Sequence, residues 1–169
     1  MVSTHGPSIT IATLCSGGDL IMHCLALLSN FWLDEWGVTI RFEHLWSCEI
    51  DPWTRQFILD HHPNVPNVFC DVLDLVKPKA FCDKEKREVV VRRVQGAGAG
   101  FECDSVSSLN RSAKDNRDVI GKAGATDKTG STGNAVLAWV LMFLPLFAWL
   151  ENVKGLMSKG ANGVHVELC

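Results

Sequence analysis

The feature that most constrains the fold is an apolar, β-branched run that ends at a glycine-rich turn. Ser8–Leu14 has the composition of a buried strand, and Cys15-Ser-Gly-Gly-Asp19 interrupts it. Leu20–Leu28 then continues with helical character. A strand, a glycine turn and a helix in this order let backbone amides approach a polar ligand closely. The turn lacks a full Gly-x-Gly-x-x-Gly motif, so an ordinary tight turn stays open as an alternative.

A second unit of the same kind carries an acidic residue after its strand. Phe42–Cys48 predicts this strand, and Pro52–His61 predicts a helix with proline in its first turn. An acid between them is placed to accept hydrogen bonds from ribose hydroxyls. Alternatively, Asp51 only caps the helix. Both roles are compatible, with Glu49 facing the ligand and Asp51 facing the helix.

A third apolar run also ends at an acid. Asn67–Cys70 predicts a short strand that leads into Asp71-Val-Leu-Asp74. Three acidic or glycine-rich strand ends in succession predict one crevice at the carboxyl edge of a parallel sheet. The sequence therefore predicts an α/β fold with a ligand site at that edge.

The middle of the chain is less regular. Lys77–Arg93 is rich in charge and predicts a solvated helix or an insertion, with Val89–Val91 as a candidate fourth strand that leads to the loop around Cys103. Arg92–Gly100 does not resemble the end of a buried strand. Arg111–Asn134 is polar and predicts a mobile loop, either a lid that closes over substrate or a disordered connector.

One apolar segment could be mistaken for a membrane span. Ala135–Leu150 is shorter than the roughly 20 residues needed to cross a bilayer, and it contains Pro145. We therefore predict a buried helix at Ala135–Leu144, a buried fifth strand at Leu146–Leu150 and no membrane association. Glu151-Asn-Val153 would form the loop after that strand.

Composition limits the class of protein. The 169 residues are 47% hydrophobic and 21% charged, which indicates one globular domain. A net charge of −3 excludes a general basic field for nucleic acid. The seven cysteines include no Cys-x-x-Cys pair, so we expect no metal site and a reducing, intracellular compartment. No basic and apolar leader is visible at the N-terminus.

Cys103 differs from the other cysteines in its setting. It lies between a glycine-rich approach and a polar exit, in Gly100-Phe-Glu-Cys-Asp-Ser-Val-Ser-Ser-Leu-Asn110. A thiol on such a loop can reach a ligand, although a lone cysteine is more often a buried structural residue.

These pieces, in this order, resemble the N-terminal half of the catalytic domain of the cytosine carbon-5 DNA methyltransferases. Thr13-Leu-Cys-Ser-Gly-Gly-Asp19 resembles the motif that cradles S-adenosylmethionine, and Ser47-Cys-Glu-Ile-Asp51 the motif whose acid holds the ribose. Asp71-Val72 stands where the family binds the adenine amino group. Ala99–Ser107 resembles the Pro-Cys-Gln loop, and Glu151–Leu156 resembles the Glu-Asn-Val motif.

The resemblance implies a Rossmann-like, S-adenosylmethionine-dependent methyltransferase fold, with an incomplete, mostly parallel sheet and helices on both faces. Residues 1–169 would form one partial catalytic domain, with the cofactor-binding part at 8–75, the cysteine loop at 96–112 and the Glu-Asn-Val motif at 151–156. The implied cofactor-binding residues are Cys15, Ser16, Gly17, Gly18, Asp19, Glu49, Ile50, Asp71 and Val72.

The resemblance also implies the chemistry. The Cys103 thiolate would add to carbon 6 of a cytosine flipped out of DNA. Glu151 would hydrogen-bond ring nitrogen 3, and Asn152 would support the loop. DNA is the implied substrate and the nucleus the implied location, although relatives that act on transfer RNA share these motifs.

Some residues depart from the family pattern. Glu102 replaces the proline before the cysteine and Asp104 the glutamine after it, so two carboxylates flank the thiol and oppose its ionisation. Asp19 stands where the family usually has glycine. The motifs that follow Glu-Asn-Val in the family are not in this sequence, so we expect an exposed edge at the fifth strand and little activity from this chain alone.

Two alternatives remain open beside an active methyltransferase. The first is a degenerate methyltransferase-like domain that acts as an interaction module, which Glu102 and Asp104 favour. The second is an unrelated nucleotide-binding α/β domain in which Cys103 is structural.

Overall fold

The computed structural model describes residues 6–15, 17–102 and 128–152. Its strands are β1 (Ser8–Leu14), β2 (Arg41–Cys48), β3 (Asn67–Phe69), β4 (Lys79–Cys82), β5 (Arg87–Val90), β6 (Gly96–Gly100) and β7 (Phe147–Glu151). Its helices are α1 (Leu20–Trp36), α2 (Pro52–His61) and α3 (Lys128–Phe143), and a short 3-10 turn covers Val72–Asp74.

The strands form one sheet in the order β5-β4-β3-β2-β1-β6-β7. Strands β3, β2, β1, β6 and β7 run parallel to one another. Strand β4 pairs antiparallel with β3, and β5 pairs antiparallel with β4. The chain winds outward from β1 to β3 on one side and then crosses to β6 on the other. This arrangement confirms the predicted Rossmann-like methyltransferase fold with a mostly parallel sheet.

Helices cover both faces of the sheet. Met22 of α1 packs against Ile11 of β1, whereas Trp139 of α3 lies in a cluster with Ala12 of the same strand. Successive residues of a strand point to opposite faces, so α1 and α3 lie on opposite sides. Trp139 and its edge-to-face neighbour Trp46 are fully buried and fill the α3 side.

The strand that leads to the cysteine loop is β6, so the prediction that Arg92–Gly100 is not a strand was wrong. The alternation of glycine and alanine explains the error, because glycine in a sequence indicates loops more often than central strands. A Cβ atom on Gly98 would lie 2.4 Å from Cδ1 of Ile21 in α1. Glycine on this face therefore lets α1 approach β6 closely, while Ala97 and Ala99 are buried on the other face.

The segment Lys77–Arg93 also differs from the prediction of a solvated helix or insertion. It forms the β4–β5 hairpin, which pairs antiparallel with β3 and extends the sheet. Val89 and Val90, from the predicted strand, lie in β5. This strand is an outer edge of the sheet and does not lead to the cysteine loop. In β4, Ala80 and Cys82 are buried whereas Lys79 and Phe81 are exposed. This alternation is typical of a strand with one face on the core and the other in solvent.

The last described elements correct two further predictions. Helix α3 begins at Lys128, so the end of the predicted loop Arg111–Asn134 is helical; residues 111–127 lie outside the described part. Strand β7 is exposed along its length, whereas a buried strand was predicted. Among the described strands it lies at the edge of the sheet, as expected. No described helix has the length and apolar character to cross a membrane.

Candidate cofactor and catalytic site

The carboxyl ends of the parallel strands open onto two adjoining cavities. One has a volume of about 160 Å³ and the other about 420 Å³. They share four lining residues, Cys15, Ile50, Glu102 and Thr132. Strands β2 and β6 pair with opposite sides of β1, so the larger cavity lies where the winding of the sheet changes direction. Ligands of open α/β sheets bind in this position.

Glu49 follows β2 and holds the glycine turn after β1. Its Oε2 accepts a hydrogen bond from the Gly17 amide at 3.2 Å, and its Oε1 accepts from the Asp51 amide at 3.2 Å. Gly17 has a φ of 61°, which favours glycine at this position. The structure thus brings two of the predicted cofactor residues, Gly17 and Glu49, together beside the larger cavity.

Asp51 caps α2, which confirms the simpler of the two roles considered for it. Its Oδ2 accepts hydrogen bonds of 2.7 Å from both the amide and the hydroxyl of Thr54. These bonds, the hydroxyl bond first, lower the pKa of the Asp51 carboxyl. Pro52 follows at the first helical position, where its fixed φ suits a helix, and Asp51 also lines the larger cavity together with Glu49.

Asp71 and Val72 follow β3 and line the smaller cavity. Asp71 Oδ1 accepts a hydrogen bond from the Leu73 amide at 2.9 Å, which holds the carboxylate at the mouth of the short 3-10 turn. Val72 is buried in the main core. Ile50 lines both cavities and is 70% exposed, so a large apolar surface faces the crevice.

Asp19 and Gly18 take supporting positions in the glycine turn. The Asp19 side chain is buried and accepts a hydrogen bond from the Ser47 hydroxyl. Gly18 lies against Phe57 of α2, because a Cβ atom there would be 2.9 Å from the ring. Both residues were predicted to bind cofactor; in the structure the Asp19 carboxylate points into the interior. Ser16, predicted with them, lies outside the described residues.

Sequence reasoning missed the polar cluster beneath this turn, which consists of Thr13, His44, Ser47 and Asp19. Thr13 Oγ1 donates to Ser47 Oγ at 3.1 Å, and His44 Nε2 lies 2.9 Å from Ser47 Oγ. Register shifts in β2, where Ile11 pairs with His44 but Ala12 pairs with Trp46. The extra residue brings His44 and Ser47 to one face. Two polar residues within an apolar strand were the signal available in the sequence.

Burial controls the charge of two groups near the turn. It lowers the pKa of His44 to about 4, although Asp19 opposes the shift. His44 is therefore neutral near pH 7. Burial also raises the pKa of Cys15 to about 12, with Glu49, Asp71 and Glu102 adding to the effect. Cys15 is accordingly a protonated thiol and an unsuitable nucleophile.

Two of the predicted catalytic residues, Glu151 and Asn152, lie at the end of β7. Cys103 itself is outside the described residues, which reach Glu102 on that side. Gly100 pairs with Glu151 across the two parallel strands, so the exposed Glu151 side chain starts from the same sheet edge as the cysteine loop. Asn152 Nδ2 donates to the Phe101 carbonyl at 2.8 Å and ties that loop to β7.

Comparison with known proteins relates the chain to a DNA methyltransferase. No protein-family model matches the chain. The chain is 30% identical over 149 residues to the DNA (cytosine-5-)-methyltransferase DMT5 of Cryptococcus neoformans var. grubii serotype A. The match covers 88% of this chain but 6% of that protein's length. The chain is therefore related to the cytosine carbon-5 DNA methyltransferase family.

Proposed function

We propose that this chain forms the cofactor-binding and nucleophile-bearing part of a DNA (cytosine-5-)-methyltransferase that uses S-adenosylmethionine. The observation that carries the proposal is the convergence of β1, β2, β3 and β6 on two adjoining cavities, with β6 leading directly into the loop that bears Cys103. A relative of this name at 30% identity supports the same assignment.

The residues around the cavities fit S-adenosylmethionine, which supplies a methyl group when bound. Glu49 is fixed by two backbone amides, and each carboxylate oxygen keeps a lone pair that can accept from ribose hydroxyls. Asp71 can accept from the adenine amino group, and Ile50 offers an apolar surface to the base. Gly17, with no Cβ atom, leaves room beside the turn. These roles are proposals that rest on the lining of the cavities.

The neighbouring ends of β6 and β7 support the proposed catalytic roles. The Cys103 thiolate would add to carbon 6 of a flipped cytosine, and Glu151 would hydrogen-bond nitrogen 3 to stabilise the charge that develops in the ring. Carbon 5 then becomes nucleophilic and takes the methyl group. Loss of the carbon 5 proton and departure of the cysteine complete the cycle. Asn152 would hold the cysteine loop in place through its bond to Phe101.

A second candidate function is a degenerate methyltransferase-like domain that mediates interactions. One described residue favours it: Glu102 is exposed directly before Cys103, so a carboxylate lies where the family pattern has proline. A negative charge beside a thiol disfavours the thiolate. Retained cofactor binding without a reactive Cys103 would support this candidate over the enzyme.

Incorporation of labelled methyl groups tests the proposed activity. The chain is incubated with methyl-labelled S-adenosylmethionine and either cytosine-containing DNA or transfer RNA. We expect slow incorporation into DNA and loss of incorporation in Cys103→Ser. Cys24→Ser is the matched control, because Cys24 is exposed on α1 and lines neither cavity. Transfer to RNA alone, or transfer that survives Cys103→Ser, would contradict the proposal.

A further inference from the structure

The charged groups around the two cavities all have the same sign. The described residues that line them include four carboxylates and no lysine, arginine or histidine. Glu49 and Asp51 line the larger cavity, Asp71 lines the smaller one, and Glu102 lines both. Such a lining favours a ligand that carries positive charge.

Three of these carboxylates are fixed by hydrogen bonds to the local backbone. Glu49 accepts from Gly17 and Asp51, Asp51 accepts from Thr54, and Asp71 accepts from Leu73. Their positions are thus part of the turns that form the crevice. Glu102 follows Phe101 at the exit of β6 and lies at the boundary that the cavities share.

The field of these groups reaches the wall between the cavities. Cys15 lies on that wall, and its raised pKa has burial as its first cause, followed by the charges of Glu49, Asp71 and Glu102. The same field that opposes a thiolate at Cys15 would stabilise a cation in its place.

We propose that Glu102 is a specificity-determining residue that favours S-adenosylmethionine over S-adenosylhomocysteine. The inference rests on the proposed function. The two ligands differ by one positive charge, because S-adenosylhomocysteine lacks the methyl group that makes the sulfur a sulfonium. A carboxylate at the shared boundary of the cavities therefore attracts the substrate form of the cofactor and releases its neutral product form.

The test is a comparison of dissociation constants for the two ligands, measured by calorimetry on the full chain. Glu102→Gln removes the charge and keeps the shape of the side chain. Because Glu102 is exposed, we expect a loss of roughly two- to fivefold in affinity for S-adenosylmethionine and unchanged affinity for S-adenosylhomocysteine. The difference should shrink as salt is raised. Glu35→Gln, an exposed acid on α1 that lines neither cavity, is the matched control.

The outcomes separate this inference from the proposed function. If Glu102→Gln weakens both ligands equally, or neither, the chain still binds the cofactor but Glu102 does not set the preference, and the inference is overturned. If the wild-type chain binds neither ligand, the proposed function fails and the inference fails with it.

Discussion

His44 shows how the glycine turn depends on residues beneath the crevice. Its Nε2 atom lies 2.9 Å from Ser47 Oγ and 3.6 Å from an Asp19 carboxylate oxygen. Nδ1 is buried and has no hydrogen-bond partner among the described residues. A neutral ring that donates from Nε2 to Ser47 fits these contacts, because the Ser47 hydroxyl itself donates to Asp19.

This burial predicts a pH dependence of stability. The folded-state pKa of His44 is lowered from 6.5 to about 4, so between these values the unfolded chain binds more protons than the folded chain. The contribution of neutral His44 is complete above pH 6.5 and is lost as the pH falls to about 4. We expect the loss to reach roughly 3 kcal/mol, from about 1.4 kcal/mol per pKa unit.

Urea unfolding at pH 7.5 and pH 5 measures the part of this loss that falls between pH 6.5 and pH 5, which is roughly 2 kcal/mol. His44→Gln should reduce the change in unfolding free energy between the two pH values, whereas His61→Gln, an exposed control on α2, should leave it as in the wild type. An equal pH dependence in the wild type and in His44→Gln would show that other groups cause it.

At the scale of elements, β6 is the part that sequence patterns least revealed. Its glycines are typical of a loop in sequence. In the structure, Ile21 of α1 lies so close to Gly98 that a side chain at this position would collide with it. By contrast, β1, β2 and β3 could be predicted because apolar, β-branched runs end abruptly at acidic or glycine-rich turns.

The contact between Gly98 and Ile21 gives a prediction about coupling. In Gly98→Ala the new methyl group would lie 2.4 Å from Ile21 Cδ1, so α1 or Ile21 must shift and stability falls. Ile21→Ala removes the obstructing atom. We expect the cost of Gly98→Ala to be smaller in the Ile21→Ala background by roughly 1 kcal/mol. A double-mutant cycle from chemical unfolding measures this coupling, and purely additive costs would contradict the contact.

The candidate site was only partly accessible to sequence reasoning, for a physical reason. Glu49 and Asp71 could be predicted because an acid after a parallel strand lies at the ligand-binding edge. The cluster of Thr13, His44 and Ser47 depends on the shifted register of β2 against β1, and pairing register has no local signature in this sequence. The β4–β5 hairpin was hidden for a different reason. Its strands have four residues each and carry charged side chains, so they lack an apolar strand pattern.

For the whole molecule, the exposed edge strand β7 predicts self-association. Phe147 and Trp149 are paired edge to face with ring centroids 5.1 Å apart, and both remain more than a third exposed. An apolar strand at a sheet edge can pair with a second copy. We expect concentration-dependent dimerisation in sedimentation experiments, weakened several-fold by Trp149→Lys because a charge disfavours edge pairing.

Trp53 provides the matched control for this prediction. It is 85% exposed but lies on helix α2, which has no strand edge to offer. Trp53→Lys should leave the association unchanged. If both substitutions weaken association equally, general apolar contact rather than the β7 edge is responsible.

Covalent trapping at Cys103 is the sharpest test of the proposed methyltransferase activity. The chain is incubated with S-adenosylmethionine and DNA that contains 5-fluorocytosine, in which fluorine at carbon 5 blocks the final elimination. We expect an adduct that mass spectrometry maps to Cys103 and that is absent in Cys103→Ser. Measurable binding of S-adenosylmethionine with no adduct would contradict the enzymatic function and support the degenerate domain.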